Sequence, residues 1–447
     1  MTPSASVRPT TAGPRELLRV LGVGFGVAVV IGGAVGQGIL RTPGIVAGAL
    51  PSPVWILAAW LAVGLLCFLE AFSTVELAAS VPHAGGPYAF VRRAFGPTAG
   101  TLIGWCDWLN AMVTVGFLGV VFAEYVQRLG FAAGTPIGLL GPLLIAAVWL
   151  INVLGTRTSG LSQHVGTMAK ALVLLAIVAV CLAAPAVHAP AIRPPPVLTL
   201  AALAVAVRAI YNTYAGWNSC VYFCEEVHEP GRSVARSIFL GLAGITALYV
   251  LVNAGLLHVL SVQQIAGSKL PAADAVAQVL GPRGGALTTA FAVISVAAIA
   301  NVTVMYSTRI AFGMARHGVL PAPLARVGRA GTPQIALLAT VIGGAACAAT
   351  GVYETLIQFG AVFSVAINIG LGLSAIRLRR TEPHLDRPFR MPLFPLPPVV
   401  ALLINSALLI AIIREDMVHG LLAVLALAAI AAAYAIGHRR VPAGSAA

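Results

Sequence analysis

Residues 31–44 read IGGAVGQGILRTPG, and the fold turns on how they are read. They overlap a stretch, residues 20–40, that carries no charged residue. That stretch is long enough to cross a bilayer, which takes about 20 apolar residues in a helix. It also holds seven glycines: Gly22, Gly24, Gly26, Gly32, Gly33, Gly36 and Gly38. Each glycine inside a helix costs about 1 kcal/mol relative to alanine, so a helix built only to anchor the chain would not carry them. Unpaired backbone groups survive in the hydrocarbon layer only where they line a cavity or are covered by protein. The step Gly36, Gln37, Gly38 therefore predicts a break, with bare N–H and C=O groups turned toward something small and polar.

Composition sets the frame around this break. The 447 residues are 59% hydrophobic and 9% charged, with a mean hydropathy of +0.94. A soluble domain carries about 25% charged residues, so the chain reads as an all-α integral membrane protein. Twelve spans are predicted, near residues 17–43, 53–80, 97–128, 134–154, 163–185, 197–224, 235–260, 286–315, 333–350, 353–377, 394–413 and 417–437. A net charge of +13 would suggest a nucleic-acid partner in a soluble chain. Here its placement gives another cause. With the N-terminus inside, 19 of the 27 Lys and Arg fall on cytoplasmic ends and loops, six on the opposite side, and Lys170 and Arg208 within spans. This bias predicts a multi-pass protein of the cytoplasmic membrane with both termini in the cytoplasm, and no nucleic-acid partner.

Residues 1–14 are polar, and the apolar run after them is too long for a signal-peptide core, so no cleavable signal is expected. All six cysteines sit in predicted spans with no histidine or acid pattern to complete a metal site, which favours core packing. No predicted extracellular loop carries a cysteine, so no disulfide-linked partner subunit is expected. There is no Walker-type phosphate loop and no soluble domain large enough for a nucleotide site. Neither a zinc-protease motif nor a nucleophile with a base lies inside the spans, which argues against an enzyme acting on lipids. No cofactor is implied.

Three spans carry polar side chains where apolar ones are expected. The second holds Glu70 and Glu76, followed by a Pro- and Gly-rich turn, PHAGGPY, at residues 82–88. The third holds Asp107, an intramembrane acid for which a structural hydrogen bond and a role in a cavity both stand. In the fifth, Lys170 lies about seven residues, or roughly 10 Å, from the cytoplasmic end. Snorkelling to the interface is the plain reading of it. The sixth span mirrors the first, with YNTYAGWN at residues 211–218 set in apolar flanks. Paired interruptions point to inverted repeats with a midplane site between them, spans 1–5 against spans 6–10. Helix packing alone is the rival reading. Arg208 stands one turn before Asn212 and predicts either a water-filled vestibule or a pairing with an acid. The charged runs after spans six, eight and ten read as solvated loop faces.

Five motifs in register resemble one family. Gly36, Gln37, Gly38 and Ile39 resemble its first-span glycine motif, and Glu76–Leu77 with residues 82–88 its second-span signature. Gly216, Trp217 and Asn218 followed by Glu225 and Glu226, residues 314–321 (MARHGVLP) and residues 387–390 (RPFR) supply the others. Together they are similar to the amino acid–polyamine–organocation (APC) superfamily, and within it to bacterial relatives of the L-type amino acid transporters. The resemblance implies a LeuT-type fold, a 5+5 inverted repeat plus two C-terminal helices. The chain then divides into a cytoplasmic tail (1–16), a first repeat (17–195), a second repeat (196–390), spans 11 and 12 (391–437) and a C-terminal tail (438–447).

The resemblance also implies a function: a permease or exchanger moving amino acids by alternating access. The substrate carboxylate would meet the N–H groups of Gln37 and Gly38 beside Gly36. The ammonium would meet the carbonyls of Ala34, Asn212 and Ala215. Lys170 matches a lysine that stands where related transporters bind sodium, which implies sodium independence and leaves proton coupling open. The chain departs from the family pattern twice. Gln37 replaces a small Ser or Thr, and Asn212 replaces an aromatic gate for which Tyr211 or Tyr214 would substitute, with Arg208 above them. A polyamine transporter of the same fold and a non-transporting nutrient sensor are the alternatives.

Overall fold

A computed structural model describes residues 22–186, 197–227, 229–328 and 331–439. The predicted tail at 1–16 lies outside them, as do residues 440–447 of the tail predicted at 438–447, and His228 and Arg193. The described residues form helices in the order α1 (Val23–Ala34), α2 (Gln37–Ala49), α3 (Pro53–Ser80), α4 (Pro87–Phe95), α5 (Pro97–Arg128), α6 (Ile137–Val153), α7 (Thr156–Ala183), α8 (Leu200–Tyr214), α9 (Pro230–Val259), α10 (Val262–Gly267), α11 (Pro271–Leu280), α12 (Pro282–Arg316), α13 (Gln334–Ala349), α14 (Tyr353–Thr381), α15 (Leu396–Glu415) and α16 (Met417–Arg439). Proline opens α3, α4, α5, α9, α11 and α12 at their first turns, where its missing N–H has no intrahelical acceptor to lose.

Seven helices are each long and apolar enough to cross a membrane: α3, α5, α7, α9, α12, α14 and α15. Taken together, α1 and α2 pass the same test as one broken span, bent by 45°. Shorter apolar helices lie at 137–153, 334–349 and 417–432. The chain is therefore a multi-pass, all-helical membrane protein. The break in the first span falls at Val35 and Gly36, one residue ahead of the predicted step, with Gln37 and Gly38 already inside α2. Two regions read as loops are helical: the turn after α3 runs directly into α4, and residues 262–280 form α10 and α11.

The breaks sit in the middle of the packing. The central helices α5, α12, α9 and α3 bury one face each, and α1, α2 and α8 lie among them. One end of the molecule gathers Arg93, Arg316, Arg379 and Arg387 with their acid partners, and Arg92, which donates to the Tyr88 hydroxyl; it is called the arginine-rich end here.

Candidate functional site

The break between α1 and α2 meets the turn that ends α8. After Tyr214 the chain leaves α8, turns through Gly216 at φ +98°, and resumes as a short 3-10 turn at Ser219–Phe223. That backbone conformation is open to glycine and strained for other residues. A Cβ on Gly216 would also stand 2.6 Å from the Gly33 carbonyl oxygen, so the two spans touch backbone to backbone. Across the same junction, the Tyr249 hydroxyl of α9 lies 2.9 Å from the Ala34 carbonyl and 3.0 Å from that of Thr213, one proton between two helix ends. Gly36 is held by a different neighbour: a Cβ there would fall 1.7 Å from Ile299 Cδ1.

A cavity of about 380 Å³ opens beside this junction. Ala34, Gly38, Arg208, Asn212 and Ala215 line it. Asp107, Asn110, Asn218, Ser364 and Asn368 add polar groups, and Phe117, Leu118 and Ile299 apolar ones. It reaches along α2 to Arg41 and Ile45 and along α8 to Val205, away from the arginine-rich end. The first N–H groups of α2 have no intrahelical acceptor, and the helix dipole makes that end positive. An anion is favoured there, and a cation at the carbonyls ending α1 and α8.

Other expected residues stand apart from the cavity wall. Lys170 is fully buried, and its Nζ donates to the Gly32 carbonyl at 2.7 Å and the Val35 carbonyl at 2.8 Å. It does not snorkel; its charge caps the C-terminal end of α1, where the dipole is negative. Tyr214 is buried and donates to the Trp60 carbonyl at 3.2 Å. Tyr211 turns its hydroxyl to Glu70 at 2.7 Å, while its ring borders a side pocket of about 30 Å³ shared with Asn212 and Asn368. The side chain of Gln37 lies outside the described residues.

Asp107 does both things its position allowed. Its Oδ1 accepts from the Tyr222 hydroxyl at 2.9 Å, its Oδ2 has no partner among the described residues, and it lines the cavity. Tyr222 stacks on Tyr306 with ring centroids 4.8 Å apart. Both rings line the cavity with Thr303.

The charged motifs require a correction. They are only in part the solvated loop faces expected: Glu226 and Arg309 are buried, whereas Arg232, Arg316, Arg377, Arg380 and Arg390 are exposed. Arg309 donates to both oxygens of Glu226 at 2.8 and 2.9 Å, with the pair fully buried and the guanidinium 5.1 Å from the Phe223 ring. Glu76 accepts from Arg379 Nε at 2.7 Å, from Arg379 Nη2 and from the Met391 N–H, with Arg387 at 3.4 Å. Glu225 takes the Ala84 N–H and Arg316, both at 2.8 Å. Glu225 thus ties the motif after α8 to those after α3 and α12, and Glu76 ties α3 to the motif after α14; these ion pairs at the arginine-rich end are called the seal here. At its rim Arg93 holds the Glu382 carboxyl below the usual carboxylate range through their hydrogen bonds. Beside it, burial lowers the His317 imidazole, helped by the charges of Arg92 and Arg316.

Residues 24–434 match the family model described as amino acid permease. The chain is 26% identical over 308 residues to the serine/threonine exchanger SteT of Bacillus subtilis, covering 68% of this chain and 70% of that protein. It is 27% identical over 425 residues to the mouse b(0,+)-type amino acid transporter 1, covering 92% and 86%. To the human large neutral amino acids transporter small subunit 2 it is 26% identical over 421 residues, covering 91% and 78%.

Proposed function

The chain belongs to the amino acid permease family, and from that premise we propose that it is a sodium-independent amino acid transporter working by alternating access, as an exchanger or a proton-coupled permease. The observation that carries this reading is the contact of two broken spans, Gly33 on Gly216, at the wall of a cavity lined by their freed backbone. Such a junction offers N–H groups for a carboxylate and carbonyls for an ammonium. No covalent chemistry is expected.

In this reading α1 with α2 is the first span, α8 with the 3-10 turn after it the sixth, and α16 the twelfth. Spans 1–5 and 6–10 are the inverted repeats. Gln37 and Gly38 meet the carboxylate beside Gly36; the carbonyls of Ala34, Asn212 and Ala215 meet the ammonium. Lys170 supplies the positive charge that a sodium ion would bring to the end of α1, and its titration is one route to proton coupling. The basic bias puts both termini and the arginine-rich end in the cytoplasm. The seal there is then the closed inner gate, and the cavity, reaching toward Ile45 and Val205, faces outward. Arg208 and Arg41 stand in the outer part of that cavity, and Tyr211 and Tyr214 belong to the frame behind it.

A second reading has one observation in its favour. Asp107 is an acid among the cavity-lining residues, and a carboxylate there would suit a second ammonium, as a polyamine carries. Purified protein in liposomes separates the two. Labelled L-serine, L-leucine, L-arginine and putrescine would be offered to empty and amino-acid-loaded vesicles, in potassium or sodium buffer. Amino acid uptake that needs a loaded lumen and ignores sodium is expected. Putrescine uptake with no amino acid uptake would overturn the primary reading.

A further inference from the structure

Glu70 lies midway along α3 and is buried, and no ion pair among the described residues reaches it. Its Oε1 accepts from the Tyr211 hydroxyl at 2.7 Å and from Asn405 Nδ2 at 2.6 Å. Its Oε2 has no hydrogen-bond partner among the described residues. An ionised carboxylate offers about four acceptor sites; here one oxygen is engaged and the other is bare. A buried acid left in that state asks for a functional cause. The resemblance offers none, because its second-span signature begins at Glu76.

The surroundings lead toward the cavity. Tyr211 Oη accepts from Asn368 Nδ2 at 2.7 Å and has Asn405 Oδ1, at 3.2 Å, as a second acceptor for its own proton. The Glu70 carboxyl of α3 is therefore bonded from α8 and α15, and α14 joins the network through the Tyr211 hydroxyl. Asn368 lines the main cavity, and Asn368 and Tyr211 together border the side pocket of about 30 Å³. That is room enough to admit a water molecule. The titratable groups on this side are the Cys67 thiol on the same helix, Tyr211 from α8 and Tyr249 from α9, whose hydroxyl is committed to Ala34 and Thr213. From α15 the carboxyl meets the amide of Asn405, and from α14 the amide of Asn368 reaches the Tyr211 hydroxyl rather than the carboxyl.

We propose that Glu70 is a proton-exchange site of the transport cycle, loaded from the substrate cavity through the side pocket and the Tyr211 hydroxyl. In the loading step the Tyr211 O–H bond breaks as a bond forms from that proton to Glu70 Oε1. A hydronium in the side pocket replaces the proton on Tyr211 and becomes water. The tyrosine ends neutral, the carboxylate becomes a carboxylic acid, and the reverse sequence returns the proton. Loading reverses the hydrogen bond between α3 and α8, since Oε1–H then donates to Tyr211. Tyr211 adjoins Asn212, whose carbonyl is assigned to the substrate ammonium, so the proton and the substrate act on the same end of α8.

The inference rests on the transporter reading, and its test keeps the two apart. Liposomes holding the full chain would be assayed with labelled L-serine, L-leucine and L-arginine. Two rates are read: self-exchange at equal pH, and uptake into empty vesicles with and without an inward proton gradient. Wild-type uptake stimulated by the gradient, with the stimulation lost in both Glu70→Gln and Tyr211→Phe while self-exchange persists, is the expected result. Stimulation retained in both variants would overturn the proposal. So would wild-type self-exchange with no response to the gradient, which leaves the transporter reading standing. A monodisperse Glu70→Gln protein without self-exchange would make the network purely structural and overturn it too. Should that variant not purify, Tyr211→Phe decides, because it leaves the Asn405 bond to Glu70 in place. Absence of wild-type self-exchange with all three amino acids would sink the transporter reading itself.

Discussion

Lys170 shows how much a single residue can carry in this chain. Its ammonium joins α7 to two carbonyls at the end of α1, in a place with no water to replace it. Substituting Lys170→Met would leave Gly32 and Val35 with unpaired acceptors, each costing about 1–3 kcal/mol when buried. The expected outcome is a lower melting temperature in detergent together with loss of uptake that added sodium does not restore. Rescue by sodium would mean that the lysine is dispensable as a charge. The depth of Lys170 was legible in the sequence. Its bonding was not, because a lysine seven residues from a helix end reaches either the interface or a neighbour, and only the packing of α1 against α7 decides between them.

The broken spans belong to the scale of elements. Glycine density and polar interruptions located both breaks within a residue or two, since those signals are local and every unpaired backbone group in a membrane must be accounted for. That the breaks touch, at Gly33 and Gly216, is a tertiary fact. Gly216→Ala combines a strained φ with a Cβ 2.6 Å from a backbone oxygen that has no room to move. Backbone strain of this kind costs of order 1–3 kcal/mol before the clash is added. We expect a protein that still inserts, with transport lost and α1 and α8 pushed apart. Normal exchange by Gly216→Ala would show that the contact is not needed in the cycle.

At the scale of the whole molecule, the seal at the arginine-rich end joins residues far apart in the chain. Arg309 meets Glu226, and Arg379 with Arg387 meets Glu76. A buried pair adds little net stability over an apolar replacement, but removing one partner strands the other charge at a cost of about 3–5 kcal/mol. Arg309→Ala alone is therefore expected to lower the melting temperature sharply. The double variant Arg309→Ala with Glu226→Ala should recover part of the loss, and a double-mutant cycle measures the coupling. Additive losses would mean that the pair is not coupled in the folded protein. These residues were visible as motifs and were read as solvated faces. Charge next to proline and glycine is the ordinary composition of an exposed loop, and nothing within a short window shows that α4 and α12 fold over it.

Hydropathy, glycine placement and arginine asymmetry act through the solvent and the local backbone, so the sequence by itself determined a multi-pass helical protein, the place of its interruptions and the family it belongs to. The cavity, the partners of Glu70 on two other helices, the two faces of Asp107 and the burial of the Arg309–Glu226 pair were decided by the tertiary structure. A buried polar group is satisfied by whichever helix packs against it. That neighbour, as with Glu70 and Asn405, lies hundreds of residues away in the chain.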